Sequence, residues 1–98
     1  MPEMTVTVRW PDGQVADCYS PSLVMHDHLR SGTTYRVDDF VQRAGVALAE
    51  ASERVRAKYG FACTASAASF ERIERSAASF AAHDSVEVLD MQPTLEDS

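Results

Sequence analysis

The chain has 98 residues, of which 45% are hydrophobic and 24% are charged. These proportions are typical of a globular domain, and the length is sufficient for one hydrophobic core. Fifteen acidic residues against nine basic ones give a net charge of -6, which argues against attraction to phosphate backbones or anionic membranes. We therefore expect no nucleic-acid partner and no membrane partner.

The two cysteines, Cys18 and Cys63, bear on the compartment. The chain starts directly in a strand pattern, without a basic segment followed by an apolar one, and no window approaches the roughly 18 apolar residues of a spanning helix. We therefore expect a cytoplasmic protein. Because the cytoplasm is reducing, both cysteines should be free thiols.

The N-terminal segment predicts a β-hairpin. From Met4 to Trp10, apolar and polar residues alternate, which is typical of a strand with one buried face. The sequence Pro-Asp-Gly at residues 11–13 favours a chain reversal, because proline presets φ and glycine is free to adopt positive φ. Residues 14–19 should then form the second strand.

Two helices are predicted next. Residues 20–22, Ser-Pro-Ser, are typical of a helix start, and they predict a short helix through about Leu29. The strongest pattern runs from Asp38 to Tyr59, where apolar residues recur at helical spacing. Gly60 should end this long helix.

The last third of the chain predicts one more helix and one strand. A second main helix is expected from residue 66 or 67 to about Ala81, because Phe70, Ile73, Ala77 and Phe80 recur at helical spacing. Residues 85–91 read as a strand. Residues 92–98 are polar and acidic, and they should form a mobile tail.

These elements predict the α+β class. We expect a single domain at residues 1–91, in which a small antiparallel sheet is built from the N-terminal hairpin and the C-terminal strand. The two main helices should pack on one face of this sheet. Three strands would leave a second face and at least one edge to be covered, so we expect a homo-oligomer.

A thiol or metal site is one hypothesis for the chemistry of the chain. Cys18, His26, His28 and Cys63 could fill a tetrahedral zinc site, since thiolate and imidazole are the ligands that zinc prefers. Neither cysteine belongs to a CxxC pair, however, and a His-x-His pair converges on one metal only in an extended segment. The alternative is that the cysteines are small buried residues and the histidines surround a turn, with no cofactor.

A basic strip along the long helix is a second candidate site. Arg43, Arg54 and Lys58 fall along one flank, where they could contact an acidic partner or a small anion. Glu50 lies one turn before Arg54, so a surface ion pair is the simpler interpretation. The four glycines are isolated, so a phosphate-binding loop has no support.

Three segments carry a resemblance to a known family: PEMTVTVRWPDG, DCYSPSLVMHDHL and YRVDDFVQRAGVALAEASERVRAKYGFACTAS. Together they span about residues 2–66, and they resemble small bacterial nitrogen-starvation-response proteins first labelled from mycobacteria. The resemblance implies a gene in a nitrilase-1 cluster, beside a nitrilase, a radical-SAM protein, a flavin-dependent oxidoreductase and an acetyltransferase, and a link to growth on nitriles or cyanide. It implies a pathway and supplies no catalytic residues.

Three functional hypotheses follow. The preferred one is a non-enzymatic accessory protein that forms a homodimer or docks to another protein of the gene cluster, because the chain is small, acidic and without a catalytic set. The second is a metal- or thiol-dependent protein that handles a toxic nitrogen compound such as cyanide at Cys18, Cys63 and the histidines. The third is an anion sensor that uses the arginine flank.

Overall fold

The computed structural model describes residues 3–61 and 64–93, and its first element is the predicted hairpin. Strand β1 (Met4–Arg9) pairs antiparallel with β2 (Val15–Ser20). In the turn between them, Gly13 has a φ of 89°, and the Asp12 carboxylate accepts a hydrogen bond of 3.0 Å from the Gln14 N–H. The Pro-Asp-Gly sequence therefore closes the hairpin as its turn chemistry predicts.

The short helix after β2 is a 3-10 helix, Leu23–Asp27, and it ends two residues earlier than predicted. Its start is confirmed, because the Ser22 hydroxyl accepts a hydrogen bond of 3.3 Å from the Val24 N–H. The Leu29 N–H still bonds to the Met25 carbonyl at 2.9 Å, so the last turn closes over a buried leucine.

Both main helices are present. Helix α1 (Val37–Tyr59) ends at Gly60, which has a φ of 83° and donates its N–H to the carbonyl of Arg56, as the sequence indicates. Helix α2 (Thr64–Ala77) begins slightly earlier than predicted and ends four residues earlier. Its predicted C-terminal part is a turn instead, because the N–H of Ala81 bonds to the Asp84 carboxylate at 2.9 Å.

Within the described residues the sheet has four strands, so the prediction of three was wrong. The unpredicted strand is β3 (Thr34–Arg36), which pairs antiparallel with the C-terminal strand β4 (Ser85–Gln92). The strand order is β2-β1-β4-β3. Gln92 belongs to β4 rather than to the predicted tail, of which residues 94–98 lie outside the described residues.

Helix α1 starts directly where β3 ends, and backbone carbonyls take the place of a capping side chain there. The Val37 N–H donates to the Asp84 carbonyl at 2.8 Å, and the Asp38 N–H donates to the Ala82 carbonyl at 3.2 Å. The loop before β4 therefore satisfies N–H groups that a serine or aspartate side chain usually satisfies.

The core lies between one face of the sheet and the two helices, which confirms the predicted α+β arrangement. The opposite face of the sheet is polar. There, the Thr7 hydroxyl donates to the Asp17 carboxylate at 2.8 Å, and Arg9 forms an ion pair of 3.0 Å with Glu87. This face pairs its own polar groups across strands, so the edges of the sheet are the places where further pairing can occur.

Gly45 allows α1 and α2 to approach closely. A Cβ atom built at Gly45 would lie 3.0 Å from Cζ of Phe70, a distance that real Cβ atoms rarely show. A glycine in a helix interior costs about 1 kcal/mol relative to alanine. The close contact with the Phe70 ring accounts for the glycine at this position.

We expect the substitution Gly45→Leu to lower the free energy of unfolding by about 1–3 kcal/mol, because the new side chain must displace the Phe70 ring. Urea unfolding measures this change. Ala57→Leu, at an exposed position of the same helix, is the control and should change stability little. A Gly45→Leu protein as stable as the wild type would contradict the close packing of the two helices.

Candidate functional site

A concave groove lies between β2 and α2. It encloses about 300 Å³. We call it the β2–α2 groove, and the residues that line it are Trp10, Ala16, Asp17, Cys18, Ser69, Arg72, Ile73, Arg75 and Ser76. A second depression shares Trp10, Arg75 and Ser76 and extends past Gln14 and Phe80, so the concave surface continues to the turn of the hairpin.

The groove lies at the edge of the sheet rather than on one face. Cys18 is buried on the helix side, whereas Asp17 points to the opposite face, where it meets Thr7. Side chains of neighbouring strand residues point to opposite faces, so a cavity lined by both must include the backbone of β2 itself. The strand order places nothing beside β2 on this side among the described residues.

The hydrogen-bonding direction of β2 follows from its pairing with β1. The Trp10 N–H donates to the Gln14 carbonyl at 2.8 Å, so the backbone carbonyl of Gln14 points towards β1. In an antiparallel pair, residues whose backbone groups point towards the partner strand alternate with residues whose backbone groups point away from it. The backbone groups of Val15, Asp17 and Tyr19 therefore point away from β1. A hydrogen bond of 2.6 Å from the Ser69 hydroxyl to the Tyr19 carbonyl agrees with this direction.

Helix α2 therefore covers only one end of the β2 edge. Ser69 binds the edge at Tyr19, and further along the helix the groove separates α2 from the strand. Val15, at the other end of the edge, is 57% exposed. At Val15 and Asp17, no strand of the described residues pairs with the outward backbone groups, and the groove lies beside them. An edge strand of this kind binds extended peptides in other folds.

Cys18 forms part of the groove floor, and its thiol is in the neutral form. Only 6% of the residue is exposed, and burial, with a smaller contribution from the Asp17 charge, raises the pKa of the Cys18 thiol to about 12. Because the thiolate is the nucleophile and the metal ligand, this environment disfavours both roles at neutral pH.

The structure describes three of the four residues of the predicted thiol or metal site. His28 Nε2 lies 2.9 Å from Glu50 Oε1, and His26 Nε2 donates to the Pro93 carbonyl at 2.8 Å. Within residues 3–61 and 64–93, no group of three or more His, Cys, Asp and Glu residues could hold a metal ion. Cys63 lies outside the described residues, so the complete set stays a prediction.

Comparison with known families decides where this chain belongs. A family model described as nitrogen starvation-induced protein NitG matches residues 5–91. The chain belongs to the NitG family. The match runs from β1 to β4, so it includes α2 and the C-terminal strand, beyond the segments that carried the resemblance in the sequence. Comparisons with curated proteins and with solved structures give no match.

The basic strip of this NitG-family chain is partly engaged in internal contacts. The Arg43 guanidinium binds the Asp39 carboxylate at 3.0 Å, donates to the His28 carbonyl at 3.2 Å and lies 5.3 Å from the centre of the Tyr35 ring. Lys58 lies over the Tyr59 ring. An anion or a partner at this strip therefore competes with the intramolecular contacts of Arg43, and the predicted contact stays a prediction.

The predicted ion pair between Glu50 and Arg54 is not formed. Glu50 contacts His28 instead, and among the described residues no ion pair includes Arg54. The reason is tertiary, because the 3-10 segment brings His28 onto α1 next to Glu50. In α2, by contrast, Glu71 and Arg75 lie one turn apart and form an ion pair of 2.6 Å.

Sequence reasoning missed the α2 side of the groove. Arg72, Ser69 and Ser76 were not predicted as site residues, because serine and arginine on an alanine-rich helix are typical of a solvent-exposed face. The available signal was the position of Ser69 three residues after Ser66 and four before Ile73, on the buried stripe of the helix. A serine on an apolar stripe needs a hydrogen-bond acceptor, and here the acceptor is the edge of β2.

No helix of the described residues is long and apolar enough to cross a membrane.

Proposed function

We propose that this NitG-family chain is a non-enzymatic accessory protein of the cytoplasm, which acts in nitrogen starvation within a nitrile-utilisation pathway. It works by binding another protein of its gene cluster or a second copy of itself. The single observation that supports binding most is the edge of β2 at Val15 and Asp17, which pairs with no strand of the described residues and lies beside the β2–α2 groove. Such an edge supplies main-chain donors and acceptors to a partner.

The environment of Cys18 supports binding over thiol chemistry. A thiol with a pKa of about 12 is almost entirely neutral at pH 7, and the neutral thiol is a poor nucleophile. The second candidate, a thiol- or metal-dependent protein using Cys18, Cys63, His26 and His28, would require Cys18 to leave the core. Elemental analysis of protein purified without a histidine tag tests it, and stoichiometric metal would favour this candidate over the accessory role.

Binding to purified proteins tests the accessory role. The full-length chain is mixed with each protein encoded beside its gene, and complexes are detected by size-exclusion chromatography with light scattering and quantified by calorimetry. We expect a stoichiometric complex with one of these proteins, or a homodimer of the chain alone. A monomer with no affinity for any co-encoded protein would overturn the proposal.

A further inference from the structure

Two arginines of α2, Arg72 and Arg75, line the β2–α2 groove in a chain whose net charge is -6. Arg72 forms no ion pair with any described residue. Arg75 pairs with Glu71 at 2.6 Å, but both side chains are largely exposed, and an exposed ion pair is weak enough to open for a ligand. The helix wall of the groove therefore offers two guanidinium groups to an anion.

The carboxylates near the groove are engaged elsewhere. The Asp17 carboxylate accepts a hydrogen bond of 2.8 Å from the Thr7 hydroxyl on the opposite face of the sheet, so Asp17 contributes its backbone to the groove. Asp12 lines only the adjoining depression, where its carboxylate accepts a hydrogen bond from the Gln14 N–H. The positive charge of the two arginines is therefore not cancelled inside the groove.

The floor of the groove is apolar. Ile73 and Cys18 are buried there, Ala16 lies beside them, and the Cys18 thiol is neutral at pH 7. Small-molecule sites typically combine an apolar lining with a few polar groups that fix the orientation of the ligand. A volume of about 300 Å³ lies at the lower end of the range for such sites, so the groove is suited to a small ligand.

Trp10 gives a second, independent indication of a ligand. Its Nε1 is buried and has no hydrogen-bond partner among the described residues, although the residue itself is only 4% exposed. Buried polar groups in proteins are almost always hydrogen-bonded. Trp10 lines both the groove and the depression next to it, so a bound molecule with acceptor oxygens would lie beside this residue.

We propose that the β2–α2 groove binds a small organic carboxylate with a short aliphatic body. Arg72 and Arg75 bind the carboxylate, since the forked donors of a guanidinium match its two oxygens, and Ile73 and Cys18 contact the aliphatic body. Inorganic anions lack the apolar part that the floor of the groove would bury. This ligand site goes beyond the accessory role, because it needs no partner protein.

Three small probes test the chemistry of the ligand. The full-length, nitrogen-15-labelled protein is titrated at constant ionic strength, and the indole N–H signal of Trp10, the sole tryptophan, is followed by NMR. We expect a saturable shift with 3-methylbutanoate. The neutral 3-methylbutanamide should bind about tenfold more weakly or worse, because it loses the charge-assisted hydrogen bonds. Acetate should do the same, because it lacks three carbon atoms, each worth about fourfold in affinity when buried.

Each probe can overturn the proposal. The absence of a saturable shift with 3-methylbutanoate would show that the groove takes no such carboxylate. An amide that binds as tightly as the acid would exclude a role for the arginines, and acetate that binds as tightly as 3-methylbutanoate would exclude a role for the apolar floor. None of these measurements involves a second protein, so their outcome is separate from that of the accessory role.

Two variants with matched controls locate the site. The double variant Arg72→Gln, Arg75→Gln should weaken binding of 3-methylbutanoate about tenfold or more, whereas Arg56→Gln, on the exposed side of α1, should leave it unchanged. Ser76→Phe fills the groove and should also weaken binding, whereas Ala68→Phe adds the same side chain at an exposed position of α2 outside the groove. Urea unfolding verifies that every variant is folded. Wild-type affinity in the double arginine variant or in Ser76→Phe would overturn the proposal.

Discussion

Replacing Phe40 by alanine should remove a large part of the stability of this fold. Phe40 is 0% exposed, and its ring packs edge to face against Trp10, with the ring centres 5.6 Å apart. Trp10 in turn stacks on Phe80 at 5.9 Å. The Phe40 ring therefore supports contacts between α1, the hairpin and the segment after α2.

We expect Phe40→Ala to lower the free energy of unfolding by about 3–5 kcal/mol, the usual cost of a buried phenylalanine and the cavity it leaves. A domain of this size has about 5–15 kcal/mol in total, so the variant should be close to unfolding at room temperature. The measurement is urea unfolding followed by circular dichroism. Val46→Ala on the exposed side of α1, where Val46 is 46% exposed, is the control and should stay within about 0.5 kcal/mol of the wild type.

A loss of less than about 1 kcal/mol in Phe40→Ala would mean that the core does not depend on the aromatic cluster of Trp10, Phe40 and Phe80. Phe40→Leu then helps to interpret the result. Leucine keeps most of the apolar volume, so this variant should lie between Phe40→Ala and the wild type if packing at α1 dominates.

The Cys18 thiol should be almost unreactive in the folded protein. A pKa raised from 9.0 to about 12 lowers the thiolate fraction at pH 8 by about 1000-fold relative to the unfolded chain, and burial restricts access further. The test uses the variant Cys63→Ser, so that Cys18 is the only thiol. Its reaction with a chromogenic disulfide should be slow in buffer and fast in denaturant.

The converse variant, Cys18→Ser, reports on Cys63 alone and serves as the control for reagent and conditions. A native Cys18 that reacts as fast as an unfolded thiol would contradict its burial and revive the thiol hypothesis. Slow reaction in the native state supports the groove as a binding surface instead.

The same thiol predicts a pH dependence of stability. The pKa of Cys18 is higher in the folded than in the unfolded state, so its contribution to stability is present below about pH 9 and is lost as the pH rises towards 12. Cys63→Ser should therefore lose stability more steeply above pH 9 than a variant that also carries Cys18→Ala. Parallel pH profiles of the two proteins would show that the pKa of Cys18 is ordinary in the folded state.

The elements that could be predicted are those with local signals. The hairpin follows from alternation and the turn residues 11–13, and α1 follows from its apolar stripe and from Gly60. Family membership also follows from the sequence, because the quoted segments, at about residues 2–66, overlap the matched residues 5–91 over most of their length. These signals involve residues close in the chain, so they need no knowledge of the tertiary structure.

Only the tertiary structure determined the surface that we propose to bind a partner. Strand β3 has three residues, too few for a periodic pattern, and it exists because β4 offers a pairing edge. The open edge of β2 follows from the strand order β2-β1-β4-β3, and the burial of Cys18 follows from α2 packing against that edge. Pairing order and helix docking depend on contacts between residues about 50 or more positions apart, which no local pattern in this sequence encodes.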